Sequence, residues 1–226
     1  MAQYFTLTED NIESARDAAK AAINNGGIVV LPAEHGYIYA CDAFSHDAVS
    51  RVHTLRGDPA YTACQVIVGS ASVLAGLATD FDSELQTLTS TFWPGLLTIH
   101  LMPHYGLNWD LGDGGELSEF AVRVPEAKLL REVAESTGPL AIASAAIVGR
   151  PASREISFIP ALESSIEVYV DQGTLPEGPA STVIRRRVLG TEGGLELLRE
   201  GAISLADLQA VLPSITGQAP QEPPVN

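Results

Sequence analysis

Positive charge is what this sequence has least of. Thirteen Lys and Arg stand against 28 Asp and Glu, a formal net charge of −15. A chain so acidic does not bind nucleic acid through a broad basic face, and its one dense basic run is Arg185–Arg187. Cysteine is scarce as well. Cys41 and Cys64 are far apart and form no CxxC pattern, which fits structural, reduced thiols. No apolar run reaches the ~18 residues that crossing a bilayer requires, so no membrane association is expected. The opening MAQYFTLTED lacks a basic region followed by an apolar one. No signal peptide is read there, and the expected location is the cytoplasm.

What the chain does contain is enough apolar material for a core. Hydrophobic residues make up 46% and charged residues 18% of 226 positions, which predicts one domain. That domain is expected over residues 1–212, followed by a Pro- and Gln-rich, disordered tail, Pro213–Asn226.

One stretch organises the rest: Gly26–Asp42, GGIVVLPAEHGYIYACD. Ile28–Leu31 is a continuous apolar run, as in a strand covered on both faces. Pro32 ends its ladder, and Glu34, His35, Tyr37 and Tyr39 follow in what reads as a polar loop. Small-molecule sites of α/β proteins sit past the carboxyl ends of strands in this way.

Helices are predicted at Thr8–Ile23, with Thr8 as N-cap, and from Ser45 to about Arg56. Others follow at Ser70–Ala78, Asp82–Phe92, Glu126–Thr137 and Leu205–Leu212. Strands are predicted at Gln65–Val68, Leu96–Met102, Phe120–Val124 and Leu140–Ser144, then at Val168–Asp171, Thr182–Arg186 and Leu195–Leu198. Pro103–Ser118 reads as a long mobile loop that covers a site. Strands and helices intermingle, so the class is α/β, with a mixed sheet.

Several segments, in this order, resemble the YrdC-like family of threonylcarbamoyl-AMP synthases. PAEHGYIYACD is similar to its Pro-Thr-(Asp/Glu)-Thr-x-Tyr-Gly-Leu segment, and LRGDP to its Lys-x-Arg-Pro. FWPGLLT is close to WPGPLT, and AVRVP matches VRxP. IASAAIVGRP is similar to Ser-Ala-Asn-x-Ser-Gly-x-Pro. ASTV matches STV, and LLREGAI matches (I/L)LRxGxI. The resemblance runs from about Thr8 to Ile203 and implies a YrdC-like twisted mixed sheet flanked by helices.

It also implies a chemistry: threonine, bicarbonate and ATP give threonylcarbamoyl-AMP and pyrophosphate, a nucleotidyl transfer. The product feeds threonylcarbamoyladenosine formation in tRNA, so tRNA or tRNA-modification partners are implied. ATP is a substrate, with Mg2+ held largely by its phosphates; no protein metal ligands are expected. By motif, Arg123 would clasp the threonine carboxylate, since a guanidinium fork matches that group, beside Glu34, His35 and Tyr37. Arg56 and Ser144 would be catalytic and, with Arg150, Ser181, Thr182 and Arg199, would hold the nucleotide.

Departures from the motifs keep other readings open. Ala33 and His35 replace two threonines, Arg56 the lysine, Asp58 the arginine and Ala146 the asparagine. A carboxylate ~5 Å from one phosphate charge, at an effective dielectric of ~20, costs about 3 kcal/mol. Arg150 could pair with Asp58, or Asp58 could hold magnesium. The alternatives are a protein of this fold that binds nucleotide or RNA without turnover, or one that makes another carbamoyl-adenylate.

Glu34–His35 has the make-up of an acid/base pair. His100 and His104 are four apart, but they flank Pro103 at a strand end, where that spacing does not share a face. Arg185–Arg187 reads best as a solvated edge strand.

Overall fold

The structure, a computed structural model, describes residues 2–116, 118–159, 165–186 and 194–217. Among the described residues, ten strands run in chain order. They are β1 (Gln3–Thr6), β2 (Val29–Pro32), β3 (Tyr37–Asp42), β4 (Gln65–Ile67), β5 (Leu97–Leu101), β6 (Phe120–Arg123), β7 (Leu140–Ser144), β8 (Val168–Asp171), β9 (Thr182–Arg186) and β10 (Leu195–Arg199). Six helices accompany them: α1 (Ile12–Asn24), α2 (His46–Arg56), α3 (Leu74–Leu77), α4 (Ser83–Phe92), α5 (Lys128–Thr137) and α6 (Leu205–Val211).

All ten strands form one mixed sheet, ordered β1-β8-β2-β3-β7-β4-β6-β5-β9-β10. The α/β mixed sheet expected from sequence is what forms. Period-two alternation divides its side chains between two cores. Val29, Leu31, Ile38 and Ala40 join Ala15, Ala19 and Ile23 of α1 and Leu130 and Val133 of α5. Val30, Tyr37, Tyr39 and Cys41 join Val49 and Val52 of α2 and Leu85 and Leu88 of α4. Ile28–Leu31 is fully buried, as a strand packed on both faces must be.

Several local expectations change. Tyr37–Asp42 is a buried central strand, not a polar loop; its register opposes Val29–Pro32, and Ala33–Gly36 closes the hairpin. The first helix starts at Ile12, because the Asn11 side chain accepts from Thr8 N (2.9 Å) and turns the chain before it. No described residue of Pro103–Ser118 lines the cleft described below. Trp109 and Leu111 of this segment are buried, and Trp109 packs edge-on against Phe44 and Phe120. β9 is not an edge strand, since β10 pairs outside it. Arg185 pairs with Glu196 (2.5 Å), and Arg186 pairs with Asp82 and Glu84. Arg187 lies outside the described residues.

Of the expected tail, Pro213–Gly217 is held on the sheet. Ile215 is buried, and Thr216 exchanges backbone bonds with Leu195 and Leu197. Residues 218–226 lie outside the described residues. Among the described residues, no helix is long and apolar enough to cross a membrane.

Candidate functional site

One cleft of about 1130 Å³ gathers Glu34, His35, Arg56, Arg123, Ser144, Ser181 and Arg199. Ile38 and Ile142 floor it from the sheet core shared with α1 and α5. Its walls come from both ends of strands, as a mixed sheet allows. Glu34 and His35 follow β2 and Ser144 ends β7, whereas Ser181 precedes β9 and Gln65 opens β4.

The hairpin loop is clamped by an ion pair. Arg123 Nη1 donates to Glu34 Oε1 and Nη2 to Oε2, both at 2.7 Å, and the Glu126 N–H donates to Oε1 at 2.9 Å. The two side chains are 7% and 9% exposed. Burial alone would raise the Glu34 pKa, but the hydrogen bonds and charge of Arg123 and the backbone donors outweigh it, so the pKa lies below the ordinary value. The Arg123 fork, expected to clasp a substrate carboxylate, holds the Glu34 carboxylate here. His35 projects from the same loop and packs on Gly178, where a Cβ would come 2.2 Å from its ring.

The second cluster sits at the end of α2. Gly57 takes φ +67°, which folds the chain back and lets Asp58 N donate to His53 O at 3.1 Å. The Asp58 side chain, 2% exposed, then lies between two partners. Arg56 Nε donates to its two oxygens at 3.1 and 2.9 Å, and His53 Nδ1 is 2.9 Å from Oδ2. Arg56 Nη1 also donates to the carbonyls of Ser144 (2.5 Å) and Ala146 (3.3 Å), tying α2 to the end of β7.

Asp58 therefore does not confront a ligand as a bare charge, because Arg56 offsets it. Arg150 is not its partner and does not line the cleft. A magnesium ligand would need a freer carboxylate. Cys64 Sγ lies 3.3 Å from His53 Nε2, but burial pushes its thiol pKa up to about 12, which removes it as a nucleophile.

The third cluster is different. Arg199 donates Nε and Nη2 to Ser181 O (3.2 and 2.8 Å) and Nη2 to Ser181 Oγ (3.2 Å). Among the described residues it has no acidic partner. The other three cleft arginines each have one: Arg56 with Asp58, Arg123 with Glu34, and Arg154 with Glu177 at 2.6 Å.

Two expected site residues are structural. Tyr37 is fully buried, and its hydroxyl donates toward Gly173 O (2.8 Å) and Asp171 Oδ1 (3.1 Å); burial, above all, raises its pKa to about 12. Thr182 is also fully buried. Its hydroxyl donates to Ile203 O (2.6 Å) and accepts from the N–H groups of Gly201 and Ile203, fixing the turn after β10. Sequence reasoning missed His53, whose position three before Arg56 on one helix face was the available signal. Arg154 and Glu177 carried no such signal.

A mixed sheet of this order, flanked by helices and carrying one polar cleft, defines an α/β fold. The Sua5/YciO/YrdC family model, described as "Telomere recombination", matches residues 21–201. The chain belongs to this family. A threonylcarbamoyl-AMP synthase of Pyrococcus abyssi is 31% identical over 199 residues, 87% of this chain and 57% of that enzyme. A Mycobacterium leprae protein given that name provisionally is 31% identical over 196 residues, 86% of each chain. The structure of P. abyssi Sua5 complexed with L-threonine superposes with a TM-score of 0.81 at 27% identity, covering 96% of this chain and 62% of that one. E. coli YciO shares the fold, with a TM-score of 0.71 at 20% identity over 92% of this chain and all of that one.

Proposed function

We propose that this chain is a threonylcarbamoyl-AMP synthase, a nucleotidyltransferase that joins threonine, bicarbonate and ATP and releases pyrophosphate. One observation carries the proposal. Arg56, Ser144, Ser181 and Arg199, drawn from distant points of the chain, open onto one cleft in which the acidic residues are neutralised by partners. Relatives bear that name, and the Pyrococcus structure holds L-threonine.

The chemistry sets the roles. Threonine's amine and bicarbonate condense to a carbamate and water. A carbamate oxygen attacks the α-phosphorus while the bond to pyrophosphate breaks. Charge grows on the leaving phosphates, so cations and hydroxyl donors must meet them. Arg199 and Ser181 supply these, together with Ser144 and the remaining donors of Arg56. Glu34 and Arg123 hold the hairpin that carries His35, which leaves the amino acid to the His35 side. Mg2+ would arrive with ATP and be held by phosphate oxygens.

The link to tRNA runs through the product. Arg185 and Arg186 are paired with acids and offer little charge to RNA, and the proposed location is the cytoplasm.

The test is pyrophosphate release from ATP. Release that requires both threonine and bicarbonate is expected. Release with another amine in place of threonine points to a different carbamoyl-adenylate. A second reading, nucleotide binding without turnover, draws on Asp58 and Ala146 standing where the family has arginine and asparagine. ATP uptake with no pyrophosphate from any amine would establish it.

A further inference from the structure

Ser181 sits at the end of a hydrogen-bonded chain that begins in the sheet. Gln65 Nε2 donates to Thr98 Oγ1 (3.1 Å), and Thr98 Oγ1 donates to Ser181 Oγ (2.9 Å). Arg199 Nη2 donates to the same Ser181 oxygen at 3.2 Å. Donor and acceptor capacities then decide where the protons go. An amide nitrogen and a guanidinium nitrogen only donate, and a hydroxyl has one proton and two lone pairs. Thr98 Oγ1 accepts from Gln65 and gives its one proton to Ser181. Ser181 Oγ accepts from Thr98 and from Arg199, which fills both lone pairs. Its own proton has no acceptor along this chain and is left for the cleft that Ser181 lines.

We propose that Thr98 is a positioning residue that, held by Gln65, turns the Ser181 hydroxyl into a fixed donor toward an anionic phosphate oxygen in the cleft. This rests on the nucleotide reading above. Thr98 does not touch the ligand: it is 3% exposed, on β5, whose register places Leu97 opposite Thr182. Three strands that meet only in the folded sheet, β4, β5 and the entry to β9, preset one hydroxyl. A donor fixed before binding does not lose rotor freedom when the ligand arrives. The same chain keeps Ser181 from acting as an acceptor, which disfavours a ligand that presents a donor at this point.

The experiment is an ATP titration by calorimetry on the full chain, comparing the wild type with Thr98→Val, Thr98→Ser, Ser181→Ala and the Thr98→Val/Ser181→Ala double variant. Thr98→Val should weaken ATP binding about five- to tenfold, the size of a misdirected charge-assisted hydrogen bond. Thr98→Ser should restore it. The double variant should bind no more weakly than Ser181→Ala, and the threonine KM should not move in any of them. Wild-type affinity in Thr98→Val beside weakened Ser181→Ala would overturn the relay and leave the nucleotide site standing. A wild type that takes up no ATP would overturn both. If Thr98→Val does not fold, Gln65→Leu takes its place: weaker ATP binding supports the relay, and unchanged binding overturns it.

Discussion

In two clusters of the cleft, Glu34 fills both branches of the Arg123 fork, and Asp58 lies between Arg56 and His53. In the third, Arg199 rests on a serine carbonyl with no acid beside it among the described residues. The first two are closed on themselves: their charges fix a hairpin loop and a helix end. The third has a guanidinium and a hydroxyl with no acid between them. In a protein of net charge −15, an unpaired arginine in a cleft is an anion site that neighbouring acids have not cancelled. Three of the cleft's arginines are held by acids and Arg199 is not.

The comparison can be broken most forcefully at Glu34. Glu34→Ala strands a buried guanidinium and should cost about 3–5 kcal/mol of stability by urea unfolding, with activity lost as the hairpin loosens. A loss below about 1 kcal/mol would mean the pair is solvated and the closed cluster is not closed. Asp58→Ala should cost about 2–3 kcal/mol and lower activity, because Arg56 loses its main anchor. Asp58→Arg, which would restore the family arginine, sets a second guanidinium beside Arg56 and should be no more stable. An Asp58→Arg chain that is more active and equally stable would show that Asp58 obstructs the site.

Acid should reproduce part of the Glu34 loss. The folded-state pKa of Glu34 lies below its ordinary value, so the unfolded chain takes up the proton first. The pair's contribution is fully present above the ordinary carboxylate range and is lost as pH falls through the folded value. The difference in unfolding free energy between the wild type and Glu34→Gln should therefore shrink from about pH 7 to about pH 3. A constant difference would show that charge is not what holds the loop. The smallest effect is expected at Arg154–Glu177, where Glu177 is 85% exposed. Glu177→Gln should shift stability by no more than about 0.5 kcal/mol.

Much of the fold was legible because its signals are local. Ile28–Leu31 is a continuous apolar run, α2 starts at Ser45, whose side chain accepts from Ala48 N, and Gly57 stops the same helix. The family motifs in order carried the architecture. What failed was anything decided by pairing. Tyr37 and Tyr39 read as part of a polar loop because each carries a hydroxyl, yet the partners of the Tyr37 hydroxyl lie more than a hundred residues away at Asp171 and Gly173. Thr182 sits in a motif shared with Ser181, and strand alternation turns one to the cleft and the other to the turn after β10. Arg123 read as free because Glu34 is 89 positions distant. Asp58 read as a lone repulsive charge because sequence does not show that a helix end folds it back onto Arg56.

The most direct measurement of the central claim is ATP affinity in Arg199→Ala. A guanidinium that meets phosphate without an acid competitor should be worth about tenfold or more in binding, while the thermal midpoint stays near that of the wild type, since Arg199 supports no buried partner. ATP affinity equal to that of the wild type would contradict the account.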